Sequence, residues 1–406
     1  MQPNAASIIQ THPLSRRAFS RRSARATAVM SAAAAFPLIS RGRVLGANDR
    51  IGVGFIGMGG RGSSHVATVQ RLIQGGENLK VVAALKKLLS VGCASMLLAL
   101  AWPSWQLPAS GEELTAEALS APTRWTIAYR GKPVLVYDFD PQKFKPYVQE
   151  LNTLAGYGVL RDSPGDHLHH HGLMYGIKVN GINFWEESAG CGVEKVVQSL
   201  PPEFTKTAAG LPQARLVQVL HWLAPEDAFF PNTNAPALLV ERRTLTLTLD
   251  PKQHETALHW RSEFEVGLRT NMVTLTGANY HGLGMRFLHE LDPLAVHFTP
   301  EGKPDLSAAK QDVSIHAWEG LAFDEPGKPA TIALFGDPHN ARGDACYFAM
   351  KSPFAYLSAT QRLETEPLVY HRGDHFEVSY LTTLYPELKP AAAIADRNRR
   401  WTASGM

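Results

Sequence analysis

The sequence lacks the features that mark several common classes of protein. Neither G-x-S-x-G nor H-E-x-x-H occurs, so serine hydrolase and zincin interpretations have no support. Residues 110–406 contain no long apolar run, which excludes a membrane subunit with several spans. The formal net charge is only +3, and no basic stripe is interleaved with aromatic residues, so nothing indicates nucleic-acid binding. Helical periodicity is scarce, and there are no internal repeats.

Cysteine is also rare, with three residues in the chain. Cys93 lies in an apolar run that we expect to be removed as part of a leader. Cys191 and Cys346 would then form either one disulfide in an oxidising compartment or two buried free thiols, and the sequence leaves both alternatives open.

The first 47 residues predict an export signal of the twin-arginine type. Residues 15–19 contain the pair Arg16 and Arg17, and a run of small apolar residues follows at 26–39. The alternative is an ordinary basic disordered tail. The succession of arginine pair, apolar run and new domain favours the signal.

Residues 48–85 predict the start of a dinucleotide-binding fold. A strand at 51–56 leads into a G-x-G-x-x-G pattern at Gly57, Gly59 and Gly62, followed by a helix at 63–73 and a strand at 79–84. This context resembles the N-terminus of the Gfo/Idh/MocA oxidoreductases, which implies NAD(P) as cofactor. However, no Asp or Glu occurs between Glu77 and Glu112 to bind the ribose. We therefore expect a truncated fragment that does not bind NAD usefully.

Residues 86–109 predict a second signal-peptide-like segment. Lys86 and Lys87 precede an uncharged run at 88–101, which is short for a membrane span but suits a secretory leader. A buried core helix is the alternative. We expect a periplasmic or secreted protein. The chain would be a join of two pieces, and the sequence leaves open whether that join is a gene fusion or an assembly artefact.

From residue 123 onward, alternating apolar and polar residues predict strands throughout. In residues 243–250 the threonines would face one side and the leucines the other, and Asn180-Gly181 predicts a hairpin turn. Many strands at short spacing imply a sandwich or barrel. We therefore predict a mainly β protein in which residues 110–406 form a large β-sandwich, preceded by a partial Rossmann β-α-β fragment.

The most informative stretch is 162–185, where four of the sixteen histidines fall within five residues. If residues 167–171 are extended, His167, His169 and His171 share one face and His170 the other. Imidazoles beside Asp166 can hold a metal, move protons or bind a polar ligand. A solvated strand end is the alternative. We predict that all five residues are catalytic, and Asp166 with His169 or His171 is the simplest acid–base pair.

Two motifs carry a family resemblance. Residues 166–173 follow the pattern Asp-His-x-His-His-x-Gly-Leu, and residues 179–185 follow Val-Asn-Gly-x-x-Phe-Trp. Together with residues 145–147, 337–340 and 370–372, they resemble the DUF6807 family, also labelled PmoA-type, over about residues 120–390. By analogy, the resemblance implies a galactose-mutarotase-like sandwich with an open sugar-binding face.

A sugar site needs aromatic platforms for the apolar ring face and polar groups for the hydroxyls. Three further polar segments carry such residues, although each histidine taken singly is more often a surface or core residue. The predicted substrate-binding residues are Tyr175, Trp185, His281, Arg286, His339, Asn340, Tyr370, His371 and Arg372.

The leading hypothesis is an exported enzyme that performs acid–base chemistry on a sugar or oxidised sugar, such as isomerisation, elimination or hydration. One alternative is a non-catalytic carbohydrate-binding sandwich. Another is an NAD-dependent oxidoreductase acting through the N-terminal fragment. The expected partner is a small-molecule carbohydrate, with no nucleic acid and no stable membrane span after leader removal.

We expect no metal and no cofactor in the β domain. Side chains at positions i and i+2 of a strand lie roughly 6–7 Å apart, so the histidines on the shared face span too far to bind one ion. A metal site would need a histidine from another strand, such as His281, His339 or His371.

Overall fold

The computed structural model describes residues 114–116, 122–228, 235–304, 306 and 311–404, together with the backbone of 51–56 and 79–85. The chain divides into two compact units, residues 1–102 and 103–406. The strands are β1 (Ile51–Ile56), β2 (Leu79–Leu85), β3 (Leu114–Ala116), β4 (Arg124–Tyr129), β5 (Lys132–Asp138), β6 (Tyr147–Leu151), β7 (Leu173–Gly176), β8 (Lys178–Val179), β9 (Ile182–Asn183), β10 (Val193–Ser199), β11 (Glu203–Lys206), β12 (Pro212–Leu223), β13 (Leu239–Asp250), β14 (Glu255–Val266), β15 (Met272–Thr276), β16 (Gly282–Arg286), β17 (Ala295–Phe298), β18 (Gln311–Ile315), β19 (Trp318–Phe323), β20 (Ala330–Gly336), β21 (Cys346–Met350), β22 (Tyr356–Thr360), β23 (Leu368–His371) and β24 (His375–Tyr385).

In the first unit, β1 and β2 pair in parallel. These are the two strands that the sequence predicts on either side of the glycine-rich turn. Gly57, Gly59, Gly62 and the predicted helix at 63–73 lie outside the described residues, as do both predicted leader segments. The expectation that this fragment does not bind NAD usefully therefore stays a prediction.

The second unit is built from three antiparallel sheets. Sheet I has the order β18-β21-β22-β16-β7-β6-β5-β4-β3. Sheet II has the order β10-β12-β13-β14-β24-β20-β19-β17, with β11 paired to the edge of β12. Sheet III is smaller and has the order β23-β15-β8-β9. The prediction of a mainly β protein with a large sandwich is confirmed.

The main hydrophobic core lies between sheets I and II. Leu283 and Met285 of β16 and Leu245 and Leu247 of β13 are fully buried in the same cluster. The predicted alternation in β13 is confirmed, because its leucines are buried and its threonines are only half-buried. Burying one such side chain contributes about 1.5–3 kcal/mol, so this contact is what joins the two sheets.

Two hairpin turns follow the sequence signals closely. Asn180 and Gly181 have φ values of 50° and 79°, the left-handed conformation that a two-residue hairpin turn between β8 and β9 requires. Arg130 and Gly131 connect β4 and β5 with φ values of 48° and 77°. The first of these turns joins the last two strands of sheet III.

A helix, α1 (Ala391–Ala403), packs its buried Ile394 and Trp401 against sheet II near Phe335 and Leu381. The sequence analysis did not predict this helix. A 3-10 turn also occurs at His289–Leu294. No helix in the described part of the chain is long and apolar enough to cross a bilayer. Cys191 and Cys346 are both buried and free, so of the two alternatives left open the structure has the pair of thiols.

Candidate functional site

The second face of sheet I, opposite the main core, carries a dense group of aromatic and polar side chains. Because side chains alternate along a strand, Gly284 and Arg286 of β16 point to this face, whereas Leu283 and Met285 enter the core. A Cβ atom at Gly284 would lie 2.0 Å from the Tyr356 hydroxyl and 2.7 Å from the Trp185 ring. The absence of a side chain at Gly284 is therefore what lets these two rings meet over the strand.

The histidine-rich segment forms a loop over this face, which we call the His loop (residues 161–172). Two successive turns shape it: the His167 amide donates to the Pro164 carbonyl, and the His170 amide donates to the His167 carbonyl, both at 2.9 Å. The expectation that residues 167–171 are extended is therefore wrong. Local turn bonds, rather than strand pairing, satisfy the backbone here.

Arg286 holds the His loop at three points. Its backbone carbonyl accepts from the Arg161 amide at 2.9 Å, and its own amide donates to the Gly172 carbonyl at 3.1 Å, so both ends of the loop are fixed. Its Nη2 donates to Asp166 Oδ2 in the middle of the loop at 3.0 Å. The guanidinium also lies 3.3 Å above the centre of the Phe354 ring. These contacts fix the loop relative to sheet I.

Asp166 binds His167 rather than His169 or His171, which corrects the predicted acid–base pair. His167 Nδ1 lies 3.1 Å from Asp166 Oδ2, and both side chains are about half exposed. Burial raises the pKa of Asp166, but the hydrogen bond from His167 and the charge of Arg286 outweigh burial and hold it at about 2. An ionised Asp166 favours the tautomer of His167 with its proton on Nδ1, which leaves Nε2 as an acceptor.

Three histidines of the loop pack against one another: His167 and His170 stack, whereas His169 meets both rings edge-on. The ring centroids of His167 and His170 are 4.5 Å apart, and those of His169 and His170 are 4.6 Å apart. Burial, and then the neighbouring His169 and His167, lower the pKa of His170 to about 3. Burial also lowers the pKa of His169, with the charge of Lys145 as the next cause. At neutral pH both rings are neutral and available for hydrogen bonding or proton transfer.

Trp185 and His281 extend this group beyond the loop. Their rings stack with centroids 5.1 Å apart and planes 16° apart, and Tyr280 packs against both. Burial, followed by the charges of Lys178 and Lys145, lowers the pKa of His281 to about 3. His170 is 6.3 Å from Trp185 and 5.5 Å from Tyr356, measured between ring centroids. The loop and the sheet therefore form one continuous cluster of packed rings.

Several buried polar atoms on this face have no hydrogen-bond partner among the described residues. We call their residues the buried polar cluster. The atoms are His170 Nδ1, Trp185 Nε1, His281 Nδ1, Arg286 Nε and Nη1, Tyr356 Oη and Ser358 Oγ. Buried polar groups normally have partners, since an unsatisfied one costs about 1–3 kcal/mol. Such a concentration indicates a place where a ligand completes the hydrogen bonding.

His171 has a different role from the other loop histidines. Its Nδ1 lies 2.6 Å from Asp162 Oδ1, its Nε2 lies 2.8 Å from Glu187 Oε1, and its side chain is 1% exposed. Only the imidazolium can donate from both nitrogens at once. Burial raises the pKa of Glu187, but His171 and then Lys145 outweigh burial and hold it at about 2. His171 is thus enclosed and joins the His loop to residues 185–187, which we call the Trp185 segment.

Lys145 binds the same segment through two hydrogen bonds. Its buried Nζ donates to the Trp185 carbonyl at 2.9 Å and to Glu187 Oε1 at 2.8 Å. The adjoining Pro146 carbonyl accepts from the core guanidinium of Arg243 at 3.0 Å. Lys145 and the adjoining Pro146 carbonyl therefore connect the face of sheet I to Arg243 in the inter-sheet core. The site is therefore backed by rigid structure.

The structure places the other predicted binding residues away from this face. Tyr175 points into the main core beside Trp222. Its direction could not be predicted, because β7 is buried on both sides and its sequence shows no alternation of apolar and polar residues. The remaining five have partners elsewhere: His339 binds Asp337, Asn340 binds the Ser379 backbone, Tyr370 stacks on Phe376, His371 pairs with Asp374, and Arg372 binds the Leu268 and Thr270 carbonyls.

Sequence reasoning missed residues that the fold brings to the site. Tyr356, Ser358 and Phe354 come from β22 and the loop before it, and Glu187 follows Trp185 along the chain. Because every residue of β22 is buried, its sequence has no polar alternation to mark a site face. For Glu187 a signal was available, because this carboxylate lies only two residues after Trp185 of the family-like pattern.

Two other features of the molecule were considered as sites. Among the described residues, no group of three or more His, Cys, Asp or Glu side chains is arranged to hold a metal ion. An open groove of about 550 Å³ lies on the outer face of sheet II. Three of its lining charges already have partners: Arg242 pairs with Glu263 at 3.9 Å, and Glu377 pairs with the neighbouring Arg261 at 2.6 Å. The face of sheet I is therefore the stronger candidate.

Solved structures of low sequence identity resemble this chain in part. One is the galactosidase domain of the alpha-galactosidase-sucrose kinase AgaSK, with 11% identity, a TM-score of 0.40 and coverage of 67% of this chain and 42% of that chain. Another is the GH36 alpha-galactosidase AgaB from Geobacillus stearothermophilus, with 9% identity, a TM-score of 0.39 and coverage of 67% and 41%. A third is a Glycoside Hydrolase Family 97 enzyme from Pseudoalteromonas sp. strain K8, with 7% identity, a TM-score of 0.35 and coverage of 68% and 34%.

This chain therefore spans less than half the length of those proteins. A comparison with curated proteins finds no match. A family model does match, and it covers residues 124–397, which run from β4 through β24 and include the His loop. The chain belongs to DUF6807, a family of unknown function.

Proposed function

We propose that the protein binds a carbohydrate on the second face of sheet I and performs acid–base chemistry on it with the His loop. The observation that carries the proposal is the Asp166–His167 pair, which stands half exposed beside the buried polar cluster. A proton-accepting nitrogen at the surface and a set of unpaired hydrogen-bonding groups next to it are what such a reaction needs.

The composition of the face supports a sugar as the ligand. Sugar rings have apolar faces that pack on aromatic rings and hydroxyls that need hydrogen bonds. The half-buried Tyr280, His167 and His169 line the accessible part, and Trp185 and Tyr356 lie behind them. Aromatic and polar side chains contact one another directly here, with ring centroids 5.7–6.5 Å apart. A purely apolar ligand would leave the polar groups unsatisfied.

The roles follow from the contacts. His167 acts as the general base through Nε2, because Nδ1 is engaged with Asp166 and Arg286 keeps that carboxylate ionised. His169 is the second proton-transferring group, since its ring is half-buried, adjacent to His167 at 5.7 Å and neutral at pH 7. His171 is a positioning residue. Isomerisation, elimination and hydration of a sugar all use this kind of paired acid and base.

The experiment is a screen of the full-length chain against neutral sugars, keto-sugars and uronic acids, with both calorimetry and product analysis. We expect turnover of one class, reduced 10²–10⁴-fold in His167→Ala. His339→Ala is the matched control, because that side chain is 79% exposed on another loop.

Binding without turnover would favour the alternative of a carbohydrate-binding module. No binding and no turnover across the panel would overturn the proposal.

A further inference from the structure

The unpaired atoms of the buried polar cluster include more hydrogen-bond donors than acceptors. Arg286 Nε, Arg286 Nη1 and Trp185 Nε1 can only donate hydrogen bonds. The other members, on His170, His281, Tyr356 and Ser358, can donate or accept. None of the unpaired atoms in the cluster is restricted to accepting. A complementary ligand must therefore bring more acceptors than donors.

The carboxylates already near the cluster do not fill this need. Asp166 reaches only Arg286 Nη2, and its other contact is His167. Glu187 is engaged by His171 and Lys145. Two guanidinium nitrogens, Nε and Nη1, and the indole nitrogen of Trp185 therefore remain without an acceptor among the described residues.

The charge of Arg286 is also incompletely balanced. The residue is 2% exposed, and its ion-pair partner among the described residues, Asp166, is half exposed to water. The charge of Asp292 also acts on the guanidinium. Burial lowers the pKa of Arg286 even though Asp166 opposes that change. An added anion at this position would interact with the guanidinium in a region of low dielectric, where the attraction is stronger than in water.

The unpaired donors lie on one patch of the face. Arg286 and Tyr356 are register partners on adjacent strands, and so are Gly284 and Ser358. Trp185 and the Tyr356 hydroxyl both meet over Gly284. The unpaired donors are therefore grouped around the same stretch of β16 and β22.

Building on the proposed function, we infer that the site selects a sugar acid, with its carboxylate directed at Arg286 and Trp185. A carboxylate only accepts hydrogen bonds, offers about four lone-pair directions and carries the charge opposite to that of arginine. A neutral sugar offers hydroxyls, each of which brings a donor as well as an acceptor. Arg286 and Trp185 are the specificity-determining residues.

The experiment compares matched ligands on the full-length protein by calorimetry. The probes are glucuronate, galacturonate and mannuronate, each set against its neutral parent hexose and its uronamide. We expect at least one uronate to bind roughly tenfold or more tightly than its parent, as a charge-assisted hydrogen bond implies. The uronamide keeps a carbonyl acceptor without the charge, so we expect it to be intermediate.

Variants locate the preference. Arg286→Lys keeps the positive charge and removes the planar fork, so we expect it to lose most of the preference for the acid. Trp185→Phe removes the indole N–H and should reduce the affinity for the acid more than that for the parent sugar. Arg372→Lys is the matched control, because Arg372 binds backbone carbonyls on sheet III, and its preference should be unchanged.

The outcomes separate the two proposals. Equal binding of acid and parent sugar by the wild-type protein would overturn this inference and leave the proposed function standing. An absence of binding to every sugar and sugar acid would overturn both. Thermal unfolding of each variant shows whether it has folded. If Arg286→Lys has not, the wild-type comparison with the uronamide still decides whether the carboxylate is recognised.

Discussion

The imidazole of His171 stacks on the phenol ring of Tyr147, with ring centroids 3.7 Å apart and planes 9° apart. Carboxylates flank the ring on both sides, through Asp162 and Glu187, and the Tyr147 hydroxyl donates to Asp162 at 3.0 Å. This arrangement ties β6, the His loop and the Trp185 segment together. The geometry of the site therefore depends on His171, a residue whose two ring nitrogens are both occupied by carboxylates.

Replacing His171 tests that dependence. His171→Ala leaves Asp162 and Glu187 without their shared partner. We expect a loss of about 2–3 kcal/mol in the free energy of unfolding, less than for a fully buried ion pair because both carboxylates keep some contact with solvent. Urea unfolding measures it. His339→Ala should change the value by less than about 0.5 kcal/mol. An equally small loss in both variants would contradict the assignment.

Acid should weaken the same link. The pKa of Glu187 is about 2 in the folded protein and ordinarily 4.5, so the unfolded chain takes up its proton first as the pH falls. The stabilisation is fully present above about pH 4.5 and is lost as the pH falls toward 2. In unfolding experiments between pH 7 and 3, Glu187→Gln should be less stable than wild type at pH 7 and show a shallower decline. Parallel curves for the two proteins would argue against this role of Glu187.

The site histidines should resist protonation. The pKa values of His170 and His281 are about 3, because both rings are buried. Both are lowered from 6.5, so the stability they contribute is complete above pH 6.5 and declines as the pH falls toward 3. Nuclear magnetic resonance of labelled imidazoles should show both rings neutral from pH 7 to 5. Titration of either ring near pH 6.5 would show that the pocket is wetter than described.

Gly284 should tolerate no side chain. In Gly284→Ala the added methyl group meets the Tyr356 hydroxyl and the Trp185 ring at distances that real Cβ atoms do not show, so one of the two rings must move. We expect a loss of about 1–3 kcal/mol and altered tryptophan fluorescence. Gly165→Ala is the matched control, since nothing lies within 4 Å of its added Cβ. Near-neutral behaviour of both variants would contradict the close approach over β16.

Alternation and turn chemistry made much of the fold predictable. The alternation of leucine and threonine predicted the buried face of β13, and Asn180-Gly181 predicted a hairpin turn. The structure agrees with both predictions. The helix α1 was missed although Pro390 stands directly before an alanine-rich stretch, a usual start for a helix.

The site could be predicted only in part. His281, Arg286 and Trp185 were predicted because a sugar site needs aromatic rings and polar side chains, and the structure places all three on the second face of sheet I. The turn conformation of the His loop could not be predicted, because it depends on the attachment of both its ends to the backbone of Arg286 on β16, far away in sequence. The side on which Tyr175 lies was equally hidden, since β7 is covered on both faces.

The most direct test is the histidine imidazole spectrum of the full-length protein, recorded while the sugars and sugar acids of the panel are added. The account predicts that the resonances of His167, His169, His170 and His281 shift together with one class of ligand. The resonances of His254, His339 and His371, which lie on other exposed segments, should stay in place. Shifts confined to those three, or no shifts with any ligand, would contradict a carbohydrate site on the second face of sheet I.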